Sequence, residues 1–158
     1  MKLICTISTV LLFAFPVFSQ RTRQESLRGL KEISVSVTLG GDAVDDKLLS
    51  SQAMLTANAE LRFRLAGIRV VSPSRAIPLF NIFVNTLKVD DDFYAVSYNY
   101  GLTQVVYCGE SKSSISHHMW GIHSLSAYGS DVINSNVKRS VTESLDFFIN
   151  DYLAANQK

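Results

Sequence analysis

In Phe93-Tyr-Ala-Val-Ser-Tyr-Asn-Tyr-Gly-Leu-Thr-Gln-Val-Val-Tyr-Cys108 the side chains alternate with a period of two from end to end, the signature of one long β-strand. Tyr94, Val96, Tyr98, Tyr100, Leu102, Gln104, Val106 and Cys108 fall on one face. Phe93, Ala95, Ser97, Asn99, Gly101, Thr103, Val105 and Tyr107 fall on the other. The first set is bulkier and more apolar, so it is expected to face the core.

Strands are expected on both sides of this one. Upstream, Phe80, Ile82 and Val84 alternate with Asn81, Phe83 and Asn85 after Pro78, and the acidic turn Asp90-Asp91-Asp92 closes a hairpin with the central strand. Downstream, Gly109 to Ser114 reads as a turn, and a further strand is expected from Ser114 to about Ala127. Strict alternation there places Ile115, His117, Met119, Gly121, His123 and Leu125 on one side. Ser116, His118, Trp120, Ile122 and Ser124 take the other.

The chain before the hairpin changes period. Ile33, Val35, Val37 and Leu39 define a first strand ended by Gly40-Gly41. Asp45 or Asp46 is then a suitable N-cap for a helix reaching about Ala66, with Gly67 at the C-cap. On that helix Met54, Ala57, Leu61 and Leu65 form one stripe, flanked by Leu48, Leu55 and Ala59. Ile68 to Val71 is a short strand bounded by Ser-Pro-Ser. From about Val132 a last helix presents Val137, Val141, Leu145, Phe148 and Tyr152, with Ile149 and Leu153 alongside. The order β-α-β-β-β-β-α implies an α+β two-layer sandwich, a mostly antiparallel sheet with two helices packed on one face.

The amino terminus reads as a secretory signal over residues 1–19. Lys2 is its positive end, Leu3 to Phe15 its apolar run, and Val17-Phe18-Ser19 its cleavage site, with cleavage expected before Gln20. The apolar run is shorter than the about 20 residues a membrane-spanning helix needs. The protein is therefore expected to be exported, periplasmic or extracellular, and not membrane-spanning. Residues 20–25 are polar and expected to be a disordered leader, and residues 26–158 a single domain. Cys5 leaves with the signal, so Cys108 has no intramolecular disulfide partner. Loss of Lys2 brings the basic residues level with the 14 acidic ones, a balance that gives a nucleic-acid partner no support.

Chemistry is sparse. His117, His118 and His123 are the only histidines. On a regular strand His117 and His123 share a face but lie roughly 20 Å apart, too far to chelate one metal ion. No metal-ligand spacing, nucleophile elbow, phosphate-binding loop or cofactor motif is present. Cys108 with a neighbouring histidine is the one arrangement suggesting a thiol enzyme. Tyr94, Tyr98, Tyr100 and Trp120 are the candidate binding surface, should their side of the sheet be uncovered; the alternative is that these rings fill a half-buried sheet.

Glu60-Leu-Arg-Phe-Arg-Leu-Ala-Gly-Ile-Arg-Val70, Ser26-Leu-Arg-Gly-Leu-Lys31, Phe80-Asn-Ile-Phe-Val-Asn-Thr-Leu87 and Asp146-Phe-Phe-Ile-Asn-Asp-Tyr-Leu-Ala-Ala-Asn156 resemble a scattered family of small secreted bacterial proteins without an assigned function. The element order is similar to that of the α+β domains at the amino end of TolB and in the lipoprotein LpoB. That resemblance implies a module binding another envelope protein, here expected without their lipid anchor or propeller. A small-molecule or lipid pocket between helices and sheet is the second expectation, and the Cys108 enzyme the third.

Overall fold

The computed structural model describes residues 23–74, 77–108 and 113–157, the side chains of 107, 108, 113 and 114 excepted. The signal and its cleavage site, and most of the turn expected after Cys108, lie outside the described residues. The elements are β1 (Glu32–Gly41), α1 (Asp42–Asp45), α2 (Gln52–Leu65), β2 (Arg69–Val70), β3 (Leu79–Asp90), β4 (Phe93–Cys108), β5 (Ser113–Gly129) and α3 (Ile133–Asn156). The five strands form one mixed sheet in the order β2-β1-β3-β4-β5. β3, β4 and β5 make an antiparallel meander, while β1 runs parallel to both β2 and β3. The result is the expected α+β sandwich, with the larger helices on one face.

The meander carries the longest ladders because its strands are joined by short turns. Parallel pairing requires a crossover, and α1 and α2 supply it between β1 and β2. Gly41 makes that departure possible. Its φ is 86°, and a Cβ there would overlap the carbonyl of Thr86 on the neighbouring strand. The Thr86 hydroxyl meanwhile donates to the Gly40 carbonyl and accepts from the Ala43 amide, each at 3.0 Å.

The first helical region differs from the expected single helix. Asp45 belongs to the four-residue α1, and the longer helix begins only after Ser51, whose hydroxyl accepts from the Met54 amide. The buried stripe of α2 is Leu55, Ala59 and Phe63. The expected stripe faces outward instead, with Met54, Leu61 and Leu65 exposed. Two apolar stripes run along this helix. Phe63 sits on the inner one, and its ring fills more of the core than the competing stripe can offer.

The core lies between α2, α3 and the sheet. Phe63 of α2, Phe80 of β3 and Phe148 of α3 meet edge to face, with centroids 4.8–5.5 Å apart. Trp120 of β5 stands perpendicular to Phe148 at 5.0 Å. Val137, Val141, Leu145 and Phe148 of α3 are buried as expected, Tyr152 is half-buried and Leu153 is exposed.

Residues 23–25, expected to be part of a disordered leader, form a helical turn instead. Asp151, on the buried stripe of α3, accounts for the difference. Its carboxylate accepts from Trp120 Nε1 at 2.9 Å and Gln24 Nε2 at 3.2 Å, and pairs with Arg23 Nε at 3.1 Å. The Arg23 guanidinium lies 4.6 Å from the centre of the Phe147 ring. Ser26 adds a hydrogen bond to the Met119 carbonyl at 2.6 Å. Residues 23–26 are thereby tied to the last helix and to β5.

Candidate interaction surface

β4 separates the molecule into two environments. Tyr94, Val96, Tyr98, Tyr100 and Leu102 are all buried. The Tyr94 hydroxyl donates to Asp46 at 2.6 Å, and Tyr100 shares a hydrogen bond of 3.0 Å with Ser140 on α3. The Asp46 bond is the main reason the Tyr94 phenol is pushed up to about 12. Burial does the same for Tyr100, also to about 12, and raises Tyr98 further. Trp120 is buried too. The binding surface considered for Tyr94, Tyr98, Tyr100 and Trp120 is therefore corrected: these side chains lie inside the sandwich, because the helices pack on the bulkier face.

The opposite face is built from the alternate residues in registered rows. Ser36, Asn81, Gly101 and Gly121 form one row across β1, β3, β4 and β5. Thr38, Phe83, Asn99 and His123 form the next, then Gly40, Asn85, Ser97 and Leu125. Leu87, Ala95 and Ala127 follow on three strands. No Lys, Arg, Asp or Glu stands in these rows. The ionisable residues of the four strands other than histidine and those with hydroxyl or thiol groups are Glu32, Lys88 and Asp90, all near strand ends. Thr38, Asn85, Ser97 and Asn99 are exposed, and so are Phe83, Leu87 and Leu125, the last at 76%. A solvated sheet face is ordinarily polar and rich in charge; this one is polar and neutral, with apolar side chains protruding from it.

A β-bulge redistributes the histidines. Leu102 pairs with Trp120 but Thr103 pairs with His118, so Met119 is the extra residue and the alternation of β5 changes phase there. His118, assigned with Trp120 by strict alternation, joins His123 on the open face. Their rings stack with centroids 6.4 Å apart. His117, opposite Gln104, goes to the other side. The close approach of His118 depends on two glycines, since a Cβ on Gly121 or Gly101 would run into its ring. Among the described residues no group of three or more His, Cys, Asp or Glu side chains is arranged to hold a metal ion.

The other two expectations fare differently. The space between helices and sheet is occupied by Phe63, Phe80, Phe148 and Trp120, where a ligand pocket was to lie. Cys108 pairs with Ser113 at the end of β4, and its side chain is outside the described part. His117 stands opposite Gln104, four positions along, which is roughly 13 Å of strand. The sheet edge is also notable. β5 borders the sheet and contains neither a charged residue nor a proline over its length, two of the usual protections of an edge, though it does carry the bulge.

Among the described residues, no helix is long and apolar enough to cross a membrane. No family model matches the chain, and no curated protein does. Solved structures with distant similarity of fold include a minor lipoprotein from Acinetobacter baumannii, 10% identical with a TM-score of 0.34, covering 80% of this chain and 87% of that one. Another is an uncharacterised protein, 14% identical with a TM-score of 0.36, covering 79% and 92%. A third is the rare lipoprotein B from Shewanella oneidensis, 17% identical with a TM-score of 0.23, covering 77% and 87%.

Proposed function

We propose that the chain is an exported, non-catalytic module of the bacterial cell envelope that binds protein through the open face of its sheet. The observation that carries this reading is the neutral face itself, four strands wide, with Phe83, Leu87 and Leu125 protruding from a field of Ser, Thr, Asn, Gly and Ala. Desolvating such a face removes no charge from water, so apolar burial is not offset by a large electrostatic penalty. The signal-like amino terminus supports export. The aromatic rings that fill the space between helices and sheet, and the roughly 13 Å of strand between Cys108 and the position opposite His117, weigh against the ligand-pocket and thiol-enzyme readings.

The test is site-directed photocrosslinking in cells that express the chain. With a benzophenone amino acid in place of Asn99, a protein adduct is expected; with the same probe in place of Ser135, exposed on α3, that adduct is not. Equal adducts from both positions, or none from position 99, would remove the reading.

A further inference from the structure

We infer that the partner of the open face is a second copy of this chain, packed sheet against sheet about a two-fold axis running along β4. This rests on the reading that the face binds protein, and identifies which protein.

Three observations converge on it. Charge comes first. A neutral face meets its own copy without like-charge conflict, and the rows from Ser36 to Ala127 hold no acidic or basic residue except histidine. A face shaped for a charged partner would carry the complementary sign.

Area comes second. On this axis three strands of each copy, about 4.8 Å apart, face each other over four successive rows about 6.7 Å apart, and offer on the order of 400 Å² per copy. Doubled, that is about 800 Å², below the roughly 1,200 Å² of stable specific interfaces and in the size class of a weak, concentration-dependent contact.

Relief comes third. A two-fold axis along β4 lays β3 of one copy over β5 of the other and keeps each row facing itself. Leu87 then stands over Ala127 of the second copy, Leu125 over Asn85, and Phe83 over the ring of His123. Each protruding side chain thus meets a smaller or planar one. Along the axis β4 faces its twin through Ala95, Ser97 and Asn99, small enough for two sheets to approach to the usual spacing of about 10 Å, while the His118 ring covers Gly101 at the end of this stretch.

Sedimentation velocity of the chain from residue 20 onward, over a hundredfold concentration range reaching 100 μM (roughly the regime of a modest dimer,), tests this directly. A species of twice the chain mass is expected, and Asn99→Lys should convert it to the single-chain mass while keeping the wild-type thermal midpoint at high dilution. In a Cys108→Ser background, a bismaleimide spanning roughly 10 Å should join Ser97→Cys chains into a covalent dimer, because the twin residues face each other across the axis at about the sheet spacing, whereas Ser135→Cys should not be joined. A wild-type chain that stays monomeric throughout, or a dimer that survives Asn99→Lys, overturns the inference. So does a Ser97→Cys chain that crosslinks no faster than Ser135→Cys. If the wild-type chain is monomeric while position 99 still photocrosslinks to a different protein, only the second-copy assignment falls. If position 99 gives no adduct either, the function proposed above falls with it.

Discussion

The two faces of β4 are made by alternate residues of one strand, yet one is sealed and the other is open. On the sealed side Tyr94, Tyr98 and Tyr100 are at most 2% exposed, and α3 reaches over the last of them through Ser140. On the open side Ser97 and Asn99, their immediate neighbours, are exposed. The difference lies in volume. A helix layer needs bulk beneath it to exclude water, and the tyrosine face provides that bulk while the Ser/Asn/Gly face does not. The two faces should therefore respond oppositely to substitution: the sealed one in stability, the open one in association.

The largest effect is expected where the sealed side is densest. Phe148 contacts Phe63, Phe80 and Trp120 and is fully buried. Phe148→Ala should lower the unfolding free energy by about 3–5 kcal/mol, read from the denaturant midpoint. A loss under about 1 kcal/mol would mean that this side is loosely packed and that the contrast between the faces is false.

Asp151 is next. Removing its carboxylate by Asp151→Ala strands Trp120 Nε1 in the core and unties Arg23 and Gln24. The expected destabilisation is about 1–3 kcal/mol, accompanied by faster tryptic cleavage after Arg23. Unchanged cleavage would show that the amino-terminal turn is held by something other than this carboxylate.

Alkaline pH probes the same side through its tyrosines. Tyr94 and Tyr100 have phenols pushed up to about 12, the first mainly by its bond to Asp46 and the second mainly by burial. A group whose folded value lies above the unfolded one, about 10, contributes stability that is fully present below pH 10 and lost as pH rises toward 12. Unfolding monitored by Trp120 fluorescence should set in within that window, and Tyr94→Phe should narrow the loss. Stability that is flat from pH 9 to 12 would contradict both the Asp46 bond of Tyr94 and the buried placement of the Tyr100 hydroxyl.

Much of this contrast is legible in the sequence. The period-two pattern of β4 already separates Tyr94, Val96, Tyr98, Tyr100 and Leu102 from Ser97 and Asn99, and the α3 stripe from Val137 to Phe148 is plain at helical spacing. Two features are not. Periodicity on α2 favours Met54, Ala57, Leu61 and Leu65, and only the three-dimensional fit of Phe63 decides against them. The bulge at Met119 leaves no local mark in Ser116-His-His-Met-Trp120, so strict alternation assigns His118 to the wrong side. Asp151 is visible in hindsight as a lone carboxylate on an apolar stripe, but its partners lie far away in sequence, as Gln24 and Trp120 do. The open face was the harder part to read: its signal is the missing charge on four separate strands, apparent only once register aligns them.

The smallest stability effect is expected on that open face, and it is the most discriminating. Asn99 is exposed at mid-sheet, next to Phe83 and His123 in its row. A lysine there can lay its methylene stem along the sheet and keep its ammonium in water. At high dilution Asn99→Lys should accordingly change the unfolding free energy by no more than about 0.5 kcal/mol. Concentration should separate the two proteins. If the wild-type chain associates through this face, its thermal midpoint must climb with protein concentration, because the folded state alone is drawn into the complex. For Asn99→Lys the midpoint should stay level, since placing two ammonium groups near the two-fold axis opposes the approach of the sheets. Parallel concentration dependence in both proteins would mean that association uses another surface. A destabilisation above about 1.5 kcal/mol at high dilution would mean that Asn99 is packed against the rest of the chain, and that the face is not open.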